Sequence, residues 1–121
     1  MGIKRLGQSF RNAFSGLKHV FKTEQNFRVQ SVVAIFVLLA IICFPLRAWE
    51  IVLLVLLVGM VLVMELLNTA LEYFTDLLKP RLHNYVKIIK DIMAAAVLLT
   101  SLGALIIGLI ILLPYFIRLF E

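Results

Sequence analysis

Cysteine, charge and glycine-rich loops are all scarce in this 121-residue chain, and each scarcity removes a class of function. A single cysteine, Cys43, leaves no intrachain disulfide and no thiolate metal site; set in an apolar stretch, it is expected to be a packed thiol. The six glycines are scattered, so there is no Gly-x-x-x-x-Gly-Lys-Ser/Thr phosphate loop, and the protein-kinase signatures are missing too. Only 16% of residues are charged against 63% hydrophobic, which is too apolar for a soluble domain of this size. The first 28 residues lack a continuous apolar run, so no cleavable signal peptide is expected and the N-terminus should be retained. The formal charge of +5 raises nucleic acid as a partner. Its distribution argues against that, because the basic residues gather beside membrane-length apolar runs and not on a separate domain. The lone His19 reads as a surface histidine with nothing to say about catalysis.

What is present reads as an all-α membrane protein, one domain over residues 1–121. Residues 3–22 carry Ile3, Leu6, Phe10, Phe14, Leu17 and Phe21 at three- and four-residue steps, with the basic residues mostly elsewhere. That pattern predicts an amphipathic helix lying in the membrane interface. Three helices containing membrane spans are expected at 29–46, 49–78 and 92–117, with Pro45 and Arg47 ending the first and Trp49 a plausible interfacial anchor for the second. Lys79-Pro80-Arg81 breaks the chain before the third, for which Asp91 is a candidate N-cap. Gly59, Gly103 and Gly108 are expected to let helices pack closely.

Orientation follows from lysine and arginine. The N-terminal segment holds Lys4, Arg5, Arg11, Lys18, Lys22 and Arg28, and the loop after the second span holds Lys79, Arg81, Lys87 and Lys90. Arg47 and Arg118 are alone at the other side. The positive-inside rule places the N-terminus and that second loop in the cytoplasm and the C-terminus outside. Glu24, Glu65, Glu72, Asp76 and Asp91 belong to the same basic side, with Glu50 and Glu121 opposite. Five carboxylates among ten basic residues at one membrane face suit a polyanion held with a divalent metal.

Glu65, Asn68, Glu72 and Asp76 fall within roughly 80° of one another at 100° per residue, on one face of an otherwise apolar helix. An ionisable group at membrane depth costs at least about 2.5 kcal/mol, so such a stripe needs a reason. Residues 51–64 are uninterrupted apolar sequence, about 21 Å of helix against a hydrocarbon core of about 30 Å. If Trp49 marks one boundary, Glu65 lies just beneath the other, where it can meet a lipid hydroxyl. Glu72 and Asp76 then emerge in water, where they can meet a metal and a nucleotide.

The run Glu65-Leu-Leu-Asn68-Thr-Ala-Leu-Glu72, followed by Asp76, His83, Lys90-Asp91 and the alanines Ala94 to Ala96, resembles the bacterial diacylglycerol kinase and undecaprenol kinase family of small membrane lipid kinases. Glu24-Gln-Asn26-Phe-Arg28 and the Gly16-Leu17 step fit the same family, in order along nearly the whole chain. The resemblance implies a homotrimer of three-span subunits with active sites shared between neighbours, in the bacterial cytoplasmic (inner) membrane. It implies transfer of the ATP γ-phosphate, with Mg²⁺ as cofactor, to a membrane lipid: diacylglycerol giving phosphatidic acid, or alternatively undecaprenol. On that mapping Glu65 is the general base and stands, with Arg5, on the lipid side. Glu24 and Glu72 hold Mg²⁺ on ATP, whose phosphates and base meet Arg81, Leu82, His83, Lys90 and Asp91. Asn26, Arg28, Asn68 and Asp76 support the site. One departure is Asn12, four positions before Gly16, where the family often carries an aromatic.

A reading from another class is a small ion- or proton-conducting oligomer. It is disfavoured because a conduit places polar groups along its length, whereas span one has none between Ser31 and Arg47 and span three only Thr100 and Ser101.

Overall fold

The computed structural model describes residues 2–121, which form four α-helices and, among the described residues, no strand. Helix α1 is Gly2–Thr23, α2 Gln25–Cys43, α3 Ala48–Asp76 and α4 His83–Leu119. The last three are each long and apolar enough to cross a membrane. Helix α3 is the central element, packed on α2 and α4 and touched by α1, which otherwise leans on α2.

Each break has a local cause. Helix α1 ends where Thr23 Oγ1 turns back to donate to the His19 carbonyl, 2.9 Å, and Glu24 adopts extended backbone. Helix α2 stops at Cys43, earlier than the expected end near residue 46, because Phe44 precedes Pro45 and is pushed out of the α region, with φ −97° and ψ 150°. Cys43 itself is exposed at that end, not packed. At the start of α3, Glu50 accepts a hydrogen bond from the Arg47 backbone N–H, 2.9 Å, one half of a capping box. Helix α4 begins nine residues before the span expected at 92–117. Its first turns are polar enough to read as loop, and Asp91 therefore lies in the helix interior and is no N-cap.

The buried residues of α3 include Glu50, Leu54, Val61, Glu65 and Thr69, spaced by fours and a seven along one inward stripe. The stripe is apolar in its middle and acidic toward each end. Most other large apolar side chains stay exposed in the single chain, including Ile3, Phe10, Phe36, Leu99 and Ile110. The glycines do not tighten packing within the chain: a Cβ at Gly59, Gly103 or Gly108 would meet open space. An apolar cleft of about 340 Å³ opens between α2 and α4 over α3, lined by Val33, Leu54, Val61, Leu98 and Leu105 among others.

Candidate active site

Glu65 is the most buried acid of the chain, 4% exposed, at the centre of the site. Thr69, next on the stripe, spends its hydroxyl on the Glu65 backbone carbonyl, 3.0 Å, and leaves the carboxylate alone. Among the described residues that carboxylate has no ion-pair partner. It is not sealed in either, since no fully buried side-chain oxygen or nitrogen lacks a hydrogen-bond partner. A buried carboxylate with a free, open acceptor edge is positioned to take a proton from an incoming hydroxyl.

Glu24 and Glu72 both lie near enough to act on Glu65 as like charges. Glu72 is about two turns further along α3, where Asn68 Nδ2 reaches its Oε1 at 3.4 Å and the Thr75 hydroxyl donates to its backbone carbonyl at 3.1 Å. Glu24 arrives from a different part of the chain, at the break between α1 and α2. Three contacts hold that break in place. Arg28 Nη1 donates to the carbonyls of Phe21 and Lys22, both at 2.9 Å, satisfying the open end of α1. His19 Nε2 shares a hydrogen bond of 2.8 Å with the Tyr73 hydroxyl, tying α1 to α3 one residue from Glu72. Their rings are also in tilted contact, centroids 5.7 Å apart.

Lys90, on α4, is the cation beside this group. Its Nζ is 3.3 Å from Asp76 Oδ1, which Lys79 also approaches at 3.9 Å, and its charge reaches Glu72. Asp76 is thus exposed and paired with lysines, unlike the other three acids.

The remaining expected site residues are not brought to Glu65 within one chain. Arg81, Leu82 and His83 are exposed where α3 turns into α4. Asp91 faces away into an exposed i, i+4 pair with Lys87, 2.9 Å. Asn26 is exposed, and Arg28 acts on the backbone of α1 as described. Arg5 is eighteen residues before Thr23, about 27 Å along α1. Asn12 accepts a 3.0 Å hydrogen bond from Gln8 on the exposed helix surface.

Mg²⁺ usually takes one or two carboxylates and completes its octahedron with substrate phosphates and water. Glu24 and Glu72 are hard oxygen donors without a basic side chain paired to either among the described residues. No three His, Cys, Asp or Glu side chains there are grouped to hold a metal alone. Two such carboxylates match the number that Mg²⁺ takes from protein when phosphates and water complete its shell.

His19 and Tyr73 were invisible as site residues in the sequence. They are 54 positions apart, and only docking of α1 on α3 joins them. Nor does spacing reveal the partner of Glu50 at the far end of the stripe, Tyr115, 65 positions away.

The model of the family described as prokaryotic diacylglycerol kinase matches residues 11–112. A diacylglycerol kinase of Synechocystis sp. is 40% identical over 107 residues, 88% of this chain and 61% of that protein. The chain therefore spans about three fifths of that relative's length. An undecaprenol kinase of Bacillus subtilis is 36% identical over 112 residues, 93% of this chain and 91% of that protein.

Proposed function

Because the chain belongs to the prokaryotic diacylglycerol kinase family, we propose that it is a bacterial membrane lipid kinase moving the γ-phosphate of ATP to a lipid hydroxyl, with diacylglycerol as the acceptor. The observation that carries this reading is the grouping of Glu24 and Glu72 around the open carboxylate of Glu65, with Lys90 beside them. A conduit would not need such a group at one end of an apolar bundle.

In this mechanism Glu65 accepts the proton as the lipid oxygen attacks the γ-phosphorus and the bond to the β–γ bridging oxygen breaks. Glu24 and Glu72 would hold Mg²⁺ on the nucleotide, where the ion supplies charge neutralisation for the departing phosphate oxygens. Lys90 offsets further phosphate charge, and Asn68 orients Glu72. Phosphoryl transfer asks mainly for alignment and charge balance, so a short helical bundle suffices without a nucleotide-binding sheet.

The proposal includes a homotrimer with shared sites, α1 lying on the membrane surface, and an N-terminus in the cytoplasm. The exposure of Phe10 and Phe14 beside a basic helix face supports the surface placement. Sharing would accommodate Arg5, Arg81 to His83 and Asp91, which one subunit keeps away from its own Glu65. A second acceptor, undecaprenol, is supported by one observation: the Bacillus relative matches along nearly the full length of both chains.

The test is the purified full chain in mixed micelles with Mg-ATP, offered dioleoylglycerol and undecaprenol separately. Phosphorylation of the first supports diacylglycerol, a preference for the second transfers the proposal to undecaprenol, and phosphorylation of neither sinks the kinase reading.

A further inference from the structure

At the other end of the bundle, a polar cleft of about 220 Å³ separates the start of α3 from the last turns of α4. Arg47, Glu50, Ile110, Pro114, Tyr115 and Arg118 are among its lining residues. It lies about 22 Å along α3 from Glu65. Nothing in the phosphoryl-transfer chemistry uses it.

Glu50 is 7% exposed and its Oε1 is fully engaged, accepting from the Arg47 N–H at 2.9 Å and from the Tyr115 hydroxyl at 2.6 Å. Those two neutral donors meet its charge, so neither guanidinium forms an ion pair among the described residues. Both arginines nevertheless line the same cleft, one from the start of α3 and the other from the last turns of α4. Arg118 is held over the Tyr115 ring, 5.9 Å from its centroid. Two positive side chains against one satisfied acid leave the cleft with a net charge of +1. Pro114 adds an acceptor: lacking an N–H, it leaves the carbonyl of Ile110, four residues earlier, without its helical donor.

Guanidinium pairs are suited to planar, forked hydrogen bonding of phosphate oxygens. In a membrane interface the abundant phosphate is the phosphodiester of a lipid headgroup. The neighbouring surface suits the rest of such a molecule, for Ile110 on the cleft wall is exposed, and so are Leu113 and Ile117 on the same turns of α4.

We propose that this cleft binds the phosphodiester headgroup of a bilayer phospholipid between Arg47 and Arg118, with the acyl chains lying along the exposed apolar flank of α3 and α4. Tyr115 and Glu50 form the rigid floor that sets the two guanidiniums, and the Ile110 carbonyl receives a hydroxyl or ammonium of the headgroup.

The chain contains one tryptophan, Trp49, two residues from Arg47, which provides the readout. The full chain in detergent is titrated with phosphatidylglycerol carrying brominated acyl chains, and quenching of Trp49 is followed. Half-saturation should rise at least tenfold in the Arg47→Gln/Arg118→Gln double variant, and less in the Arg47→Lys/Arg118→Lys variant, which keeps the charge and loses the fork. Brominated diacylglycerol, which has no phosphate, should quench equally in all three proteins. Unchanged half-saturation in the glutamine variant overturns the proposal, as does equal dependence on the arginines for brominated diacylglycerol. Full displacement of the phospholipid by millimolar inorganic phosphate overturns the lipid assignment in favour of a soluble anion. Both arginines are exposed, so the variants should fold, and unchanged helical circular dichroism checks that they do.

Discussion

Glu50 and Glu65 stand on the same inward stripe of α3, both nearly inaccessible, and the protein treats them in opposite ways. At the Glu50 end Oε1 accepts from a backbone N–H and from a tyrosine hydroxyl, and that tyrosine is packed in turn: Phe44 meets Tyr115 at 5.9 Å and Phe116 edge to face at 4.8 Å. At the Glu65 end the neighbours are two more carboxylates, and the nearest threonine gives its hydroxyl to the backbone. Buried acids that serve a fold are satisfied by donors. An acid left open among like charges suits the proposed reaction, in which the incoming substrates bring their own positive charge and their own proton.

That contrast is most directly broken at Glu65. Glu65→Gln keeps size and polarity and removes the proposed base, so turnover should fall by roughly 10²- to 10⁴-fold with little change in thermal unfolding. Retained turnover in a lipid phosphorylation assay would remove Glu65 from the chemistry and make the two ends alike.

Glu72→Gln should act on the metal requirement. Losing one of the two proposed carboxylate ligands should raise the Mg²⁺ concentration for half-maximal activity by about 10- to 100-fold, and Glu24→Gln should do the same. An unchanged Mg²⁺ dependence in both would leave the open carboxylates without their proposed cation.

Glu50→Gln sharpens the contrast from the other side. It weakens two hydrogen bonds to a charged acceptor and should lower the unfolding midpoint by on the order of 5 °C while leaving turnover intact. A loss of turnover with unchanged stability would show that the Glu50 end takes part in catalysis after all.

Much of this was legible from sequence because membrane chemistry is unforgiving. Uninterrupted apolar runs left little choice but three spans, and any acid inside one stood out against its cost. The structure corrected the reading where polarity is ordinary: the first two turns of α4 carry His83, Asn84, Lys87 and Lys90 and look like loop, yet are helix. The charge distribution put Glu24 on the same membrane side as the α3 acids, but only the family resemblance gave it a role beside Glu72, since no spacing links it to α3. What distinguishes Glu50 from Glu65 is who its partners are, and one of them, Tyr115, comes from α4, 65 residues away.

The same limit hid the contact between His19 and Tyr73, whose test has the smallest expected effect and separates positioning from chemistry. Glu24 belongs to a one-residue break between two helices, and a carboxylate there is only as well placed as α1 is fixed. Tyr73→Phe keeps the ring packed on His19 and removes the hydroxyl of the 2.8 Å hydrogen bond. A neutral hydrogen bond is modest in net terms, so the Mg²⁺ requirement should rise only about threefold, with kcat at saturating Mg²⁺ nearly unchanged. Hydrogen exchange of the α1 amides should quicken in the absence of any metal or nucleotide, and His19→Gln, which keeps a polar group to meet the Tyr73 hydroxyl, should produce smaller changes in both measurements. If kcat falls instead, with exchange in α1 unaltered, then Tyr73 works on the reacting group itself. The acidic end would then be built by direct contact and not, as the geometry implies, by how firmly one helix is held against another.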